Sequence, residues 1–171
     1  MKETCQDVFS QWDGKHTEPL IGLYQDYQDR SEFWDYLVSA YLEHPEWEVP
    51  VTWLLKHHYD QKQALTVDQV QVLLDGFSNL EQWEARLHIL QLIPKWRLSK
   101  EQASSLEPLL ASAMEDEKPF VRAAAYEAFA KIVPYLSDQA RSSFLERCET
   151  AMATESASVK VKLRRALKQL S

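Results

Sequence analysis

The feature that most restricts the fold of this chain is an apolar pattern that repeats at intervals of 36 to 38 positions. The clearest copy, residues 106–136, contains two helical stripes separated by a short break that ends at Pro119. Proline is tolerated in a helix's first turn, because the N–H it lacks has no partner there. The two stripes consist of Leu106, Leu109, Leu110 and Ala113, then Val121, Ala125, Ala128, Phe129 and Ile132. Neither stripe can be buried alone, so the segment predicts an antiparallel helix hairpin that needs neighbours.

The same stripes recur when the segment is shifted along the chain by 36, again by 36, and forward by 38 residues. The matching positions are Val70, Leu73, Leu74, Phe77, Ala85, Ile89, Leu92, Ile93 and Trp96; Trp34, Leu37, Val38, Tyr41, Val49 and Trp53; and Phe144, Cys148, Ala151, Val159, Leu163, Ala166, Leu167 and Leu170. We therefore predict one all-α domain, 1–171, with hairpins at 31–64, 65–98, 99–136 and 137–171. A weaker helix pair at 1–30 is expected to cap the first hairpin, as the end of a repeat array requires.

The third hairpin resembles a HEAT repeat, with a Leu-rich helix, an Asp-containing turn, and Val-Arg followed by small residues. The residues that carry the resemblance are Leu106, Pro108, Leu109, Asp116, Val121, Arg122, Ala125, Ala128 and Ile132. It implies a right-handed α-solenoid of about five hairpins. It also implies a ladder between the turn Asp and the helix-start Arg, here Asp116 and Arg122, with Arg86 as the matching Arg one repeat earlier. Asn79, Lys160 and Pro50 depart from the ladder pattern, so the ladder is incomplete.

Charge is distributed unevenly along the chain. Residues 1–60 carry 12 Asp/Glu and 4 Lys/Arg, residues 61–115 carry 7 and 5, and residues 116–171 carry 7 and 10. An acidic first part repels a phosphate backbone and attracts a basic partner, so nucleic-acid binding is disfavoured. The alternative is that these charges only solvate the outer faces of helices.

The expected compartment is the cytoplasm. The chain has no apolar run long enough to span a membrane, and its start lacks the pattern of a signal peptide. Two isolated cysteines, Cys5 and Cys148, are typical of reduced thiols that pack in a core.

Two tryptophans, Trp47 and Trp83, are 36 positions apart and mark equivalent second-helix starts, where the third hairpin has Pro119. They could anchor a partner, or they could pack over the joints between repeats. Acidic residues surround them, which favours a Lys/Arg-rich partner. The predicted partner-binding set is Trp47, Glu48, Trp83, Glu84, His88, Tyr126 and Glu127.

No motif of catalysis is present: the chain lacks GxSxG, GxxxxGK[ST], GxGxxG, HExxH and CxxC. The adjacent His57 and His58 point about 100° apart on a helix and do not suit one metal ion. We expect no cofactor, no metal and no enzymatic activity. The basic last helix, with Lys160, Lys162, Arg164, Arg165 and Lys168, is either an anion-binding face or a soluble terminal cap.

The sequence thus favours a binding scaffold or adaptor for a basic protein or peptide. An enzyme resembling the HEAT-like alkylpurine DNA glycosylases is the alternative, although no residue here matches the catalytic Asp of that group. A further option is assembly with copies of itself, because an acidic front and a basic rear suit head-to-tail contact.

Overall fold

The computed structural model describes residues 1–170, and in this part of the chain it contains helices and no strands. The α-helices are α1 (Lys2–Gln11), α2 (Glu18–Tyr27), α3 (Ser31–Glu43), α4 (Glu48–Asp60), α5 (Val67–Gly76), α6 (Trp83–Leu92), α7 (Lys100–Ala113), α8 (Pro119–Ile132), α9 (Asp138–Thr154) and α10 (Ala157–Leu170). Each of the five predicted segments holds two of them, so the all-α prediction is confirmed. No described helix has the length and apolar character needed to cross a bilayer.

Side-chain caps define where the first helix begins in three of the predicted hairpins, at α5, α7 and α9. Thr66 and Ser99 each accept a hydrogen bond from the backbone N–H three residues later, at 3.3 and 3.2 Å. The side chains of Gln69 and Gln102 in turn accept a hydrogen bond from the backbone N–H of the capping residue, which completes a capping box in both places. Ser137 caps α9 by accepting from the N–H of Ala140 at 3.2 Å. These polar starts fix the phase of each helix, and hence which side chains face inward.

The chain forms two compact units, Met1–Ile89 and a second that begins at Leu90. In the first unit α3 packs against α4 and α5, and α2 packs against α1 and α4. The predicted stripe of α3, from Trp34 to Tyr41, is buried, together with Leu54 and Leu55 of α4. The hydroxyl of Tyr41 donates to the carbonyl of Leu73 at 3.0 Å, which ties α3 to α5.

The second unit is built around α8, which packs against α7 and α10. Its buried face is rich in alanine, at Ala123, Ala124, Ala125, Ala128 and Ala130. Small side chains let neighbouring helices approach closely without leaving voids. At the edge of this alanine face, Phe129 stacks on Phe144 of α9, with ring centroids 4.6 Å apart.

Hydrogen bonds between distant residues recur at intervals of 32 to 36 positions. Tyr41–Leu73 spans 32 positions, Thr52–His88 spans 36, Arg147–Ala111 spans 36 and Lys162–Glu127 spans 35. These intervals are close to the spacing of the apolar stripes in the sequence. Corresponding places in successive helix pairs are therefore neighbours within each unit.

Two helical glycines differ in what surrounds them, and this difference gives a stability test. A Cβ at Gly76 would lie 2.5 Å from Cε1 of Tyr41 and 2.6 Å from Cδ2 of Leu42, whereas one at Gly22 would meet nothing within 4 Å. We expect Gly76→Ala to lower the free energy of unfolding by about 1–3 kcal/mol, because the Tyr41 ring must shift. The matched control, Gly22→Ala, should raise it by roughly 0.5–1 kcal/mol through helix propensity. Urea denaturation measures both, and equal effects would contradict the packing around Gly76.

Candidate functional site

Trp47, the first predicted anchor, is buried, with 8% of its surface exposed. Its ring lies 5.8 Å from that of Phe9 and stacks on His44 at 3.9 Å between centroids. This packing agrees with the joint-packing alternative raised by its position at a helix start. Trp83 is half-buried at the first residue of α6, and Glu84 beside it is also half-buried.

Glu48 is a buried carboxylate, 2% exposed, at the first residue of α4. It accepts hydrogen bonds from the backbone N–H of Glu81, at 3.1 and 3.0 Å, and from that of Gln82, at 2.9 Å. These N–H groups precede α6, where the positive end of the helix dipole favours an anion. Glu48 therefore joins two successive helix pairs and satisfies the two backbone N–H groups that precede α6.

His88 belongs to the same joint between α4 and α6. Its Nδ1 lies 2.9 Å from the hydroxyl of Thr52, and that hydroxyl donates to the carbonyl of Glu48 at 2.7 Å. Since the single hydroxyl proton is used in this way, Nδ1–H of a neutral His88 is the donor to Thr52. Burial lowers the pKa of His88 to about 4, and the charge of Lys56 acts in the same direction.

The predicted ladder residue Arg122 makes the corresponding joint in the second unit. Its guanidinium donates to both carboxylate oxygens of Glu155, at 2.6 and 2.9 Å, and to the carbonyls of Asp116 and Glu117. Arg86 donates in the same way to the carbonyls of Leu80 and Glu81. The carboxylate of Asp116 accepts from the N–H of Lys118, and the carboxylate of Glu155 pairs with two guanidinium nitrogens of Arg122, Nε and Nη2. Nothing in the repeat pattern had singled out Glu155.

Tyr126 and Glu127 lie on α8, in the second unit. Tyr126 is buried near Phe144, and burial raises the pKa of its phenol. Glu127 accepts from Nζ of Lys162 at 2.8 Å and so ties α8 to α10. Most of the predicted partner residues thus connect neighbouring helices, and their assignment to a partner stays a prediction.

A surface groove in the first unit combines an aromatic ring with acidic side chains, the combination that the sequence predicted around Trp47 and Trp83. It lies between α1 and α3, has a volume of 580 Å³, and is lined by Lys2, Gln6, Glu32, Asp35, Tyr36, Ser39, Ala40, Glu43 and His44. Glu32, Tyr36, Ser39 and Glu43 follow each other at helical spacing on α3, opposite the buried stripe. That spacing was the available signal for the groove.

Tyr36 forms the aromatic part of this groove. Its hydroxyl oxygen is buried, and among the described residues it has no hydrogen-bond partner; Gln6 lies beside it without the geometry of a bond. Burial raises the pKa of the phenol, and the charge of Glu43 adds to the effect. The ammonium of Lys2 sits over the ring, 5.7 Å from its centroid. The groove therefore already holds one cation against an aromatic face with carboxylates around it.

The two adjacent histidines on α4 take part in an aromatic cluster. His57 stacks on Trp53 with centroids 4.9 Å apart, and His58 lies 3.8 Å from the ring of Trp34. Tyr24 contacts both histidines edge-on. Burial lowers the pKa of His58. These rings pack α2, α3 and α4 together.

The two cysteine thiols of the described chain have little access to a substrate. Cys5 and Cys148 are free and buried, and burial raises the pKa of their thiols to about 11 and about 12. A thiol with such a pKa is protonated at neutral pH and is a poor nucleophile. Within residues 1–170, no group of three or more His, Cys, Asp or Glu could hold a metal ion.

No protein-family model matches the chain, and no curated protein or solved structure matches it either.

The Arg122–Glu155 joint predicts a stability that depends on pH. Glu155→Gln should lower the free energy of unfolding by roughly 1–3 kcal/mol at neutral pH, because the partly buried Arg122 loses its charged partner. Hydrogen bonding to Arg122 holds the pKa of Glu155 below its ordinary 4.5. The stabilisation is therefore complete above pH 4.5 and is lost as the pH falls through the lower folded-state value.

Urea denaturation of both proteins across acidic pH measures this difference. Glu149→Gln, at an exposed position of α9, is the matched control and should change stability by less than about 0.5 kcal/mol. A difference between Glu155→Gln and the parent that stays constant into strong acid would contradict the assignment.

The neutral His88 predicts a second pH effect through the same linkage. Its folded-state pKa of about 4 lies below the ordinary 6.5, so the unfolded chain binds the proton first. Stability from this group is complete above pH 6.5 and falls as the pH drops toward 4, by at most about 3 kcal/mol. His88→Gln should remove this loss, as read from thermal melts at stepped pH.

His16→Gln is the control with the opposite sign, because bonding to Asp13 raises the pKa of His16. Identical pH profiles for the parent and His88→Gln would show that His88 is not held neutral.

Proposed function

We propose that this chain is a non-catalytic protein-binding module, and that the groove between α1 and α3 receives a Lys/Arg-rich segment of a partner. The observation that carries the proposal is the arrangement at Tyr36, where a cation lies on an aromatic ring between carboxylates. Lys2 occupies this place within the chain. A lysine or arginine of a partner has the same chemistry and can replace it.

The charge of the first unit supports a basic partner. Residues 1–89 carry 16 Asp/Glu and 6 Lys/Arg. The carboxylates of Glu32, Asp35 and Glu43 at the groove are exposed. Each exposed ion pair contributes only about 0.2–1 kcal/mol, so charge steers the partner but does not by itself select it. The ring of Tyr36 adds a cation–π contact of roughly 0.5–2 kcal/mol at a fixed place, which supplies selectivity.

The fold part of the proposal is that the helix pairs are HEAT-like repeats of an α-solenoid. Its support is the shared register of the apolar stripes and the recurring interval of 32–36 positions between bonded residues. Contacts between alternate helices, α2 with α4, α3 with α5 and α8 with α10, are those expected of stacked pairs. Such arrays act by presenting surface, which agrees with a binding role, and we place that role in the cytoplasm.

Binding of a fluorescein-labelled deca-lysine peptide, followed by fluorescence anisotropy, tests the groove. Glu32→Gln/Glu43→Gln should weaken binding about tenfold, since two contacts of up to about 1 kcal/mol each are lost. Asp68→Asn/Glu81→Gln removes the same charge from exposed positions that do not line the groove and should have a much smaller effect. Equal weakening by both pairs would reduce the effect to net charge and reject the groove.

Lys2→Ala sharpens the test, because it removes the cation that occupies the Tyr36 ring. We expect it to tighten peptide binding, whereas Lys15→Ala, which removes the same charge from an exposed position outside the groove, should leave it nearly unchanged. Tyr36→Phe keeps the ring and should retain affinity, while Tyr36→Leu should lose several-fold. If Tyr36→Leu binds like the parent, the aromatic contact is not part of the site.

A further inference from the structure

The outward face of α2 is acidic and has a glycine at its centre. Glu18 and Asp26 are exposed on this face with Gly22 between them, and Asp29 is exposed in the turn that follows the helix. The opposite face of α2 carries Leu20, which is buried. The α2 helix itself contains no lysine or arginine.

The packing around position 22 within the chain does not require a glycine. It lies inside a helix, where glycine is unfavourable compared with alanine. A Cβ at this position would meet nothing within 4 Å. Gly76, in contrast, is required by the close approach of Tyr41. A bare backbone on an open helix face allows another chain to approach closely.

The outward face of α10 is basic and has an exposed apolar side chain at its centre, so it complements the face of α2. Val161 is 45% exposed at its centre, and Arg164 and Arg165 lie on either side of it, both exposed. The α10 helix contains no aspartate or glutamate. Its buried face, formed by Val159, Leu163 and Ala166, is used within the second unit.

We infer that α10 of one copy of this chain packs on α2 of a second copy, with Val161 against Gly22. Arg164 and Arg165 then lie opposite Glu18, Asp26 and Asp29. Within the units, the second helix of one pair packs on the second helix of the next, as α2 does on α4 and α8 does on α10. The proposed contact repeats this packing between two molecules. The balance of charge favours it, since residues 1–89 have ten more acidic than basic residues and residues 90–171 have three more basic than acidic.

The contact is head-to-tail, because each chain contributes a different face to it. A single contact of this kind leaves one α2 face and one α10 face uncovered. This surface does not include Glu32, Tyr36 or Glu43 of the groove, so the two proposals stand or fall separately.

Sedimentation velocity over a range of protein concentrations tests the contact. In low salt the parent chain should show a mass that rises with concentration, and high salt should weaken the association because the facing charges are exposed. Gly22→Leu fills the open space without a clash inside the monomer and should raise the apparent dissociation constant at least tenfold. Arg164→Glu/Arg165→Glu should do the same by charge repulsion.

Matched controls separate the contact from general effects. Ser104→Leu adds an exposed leucine to α7, and Arg97→Glu/Lys100→Glu makes the same charge change outside α10; both should associate like the parent. Circular dichroism melts check that each variant is folded.

A mixture of the two defective proteins gives the decisive result. Gly22→Leu retains an intact α10 face, and Arg164→Glu/Arg165→Glu retains an intact α2 face. Mixed together, they should form a one-to-one dimer that does not grow, although neither associates alone. A parent chain that stays monomeric at every concentration in low salt, or variants and mixtures that behave like the parent, would overturn the inference.

Discussion

In the proposed array of helix pairs, each helix covers only part of its partner's apolar stripe, and the next pair buries the remainder. This constraint explains why the bonded residues lie 32–36 positions apart, since each stripe is completed by the corresponding stripe of a neighbour. Side-chain burial supplies most of the stabilisation, at about 25 cal/mol per Å² of apolar area. The backbone N–H and carbonyl groups at the start of the second helix of each pair must then find hydrogen-bond partners within the same tightly packed joints, because an unpaired buried N–H or carbonyl is costly.

Charged side chains meet this requirement in both units. In the first, the carboxylate of Glu48 accepts from the N–H groups that precede α6, and position 50, where the pattern would place an arginine, is proline. In the second, the guanidinium of Arg122 donates to the carbonyls before α8 and to Glu155. Arg86 of the first unit donates to the carbonyls of Leu80 and Glu81, so the turn before α6 uses both devices, a carboxylate for its N–H groups and a guanidinium for its carbonyls.

The helices and their inward faces were predictable because a stripe of spacing 3.6 depends only on local sequence. Whether a side chain at a helix start is exposed could not be predicted in this way. Trp47 is buried because Phe9, 38 positions earlier, and His44 cover it, and no local pattern records that contact. Glu155 of the following pair reaches the guanidinium of Arg122 from a loop whose course depends on packing, so the local pattern does not reveal it. The groove at Tyr36 is intermediate: its α3 residues share a visible stripe, while its second wall, from α1, is set only by the tertiary structure.

In the proposed array, each terminal pair has one side that no further repeat covers, a problem that the interior pairs do not have. A cap that only needed to be soluble would carry charges of mixed sign on strong helix formers. On their outward faces α2 presents exposed acidic residues and α10 exposed arginines. The centre of the first face is a glycine, which weakens a helix, and the centre of the second is a valine that is 45% exposed. Solubility alone explains neither the segregation of charge nor the two central residues. Both are explained if the two faces are shaped for each other, since a helix without a side chain at its centre can receive one that has a branched side chain there.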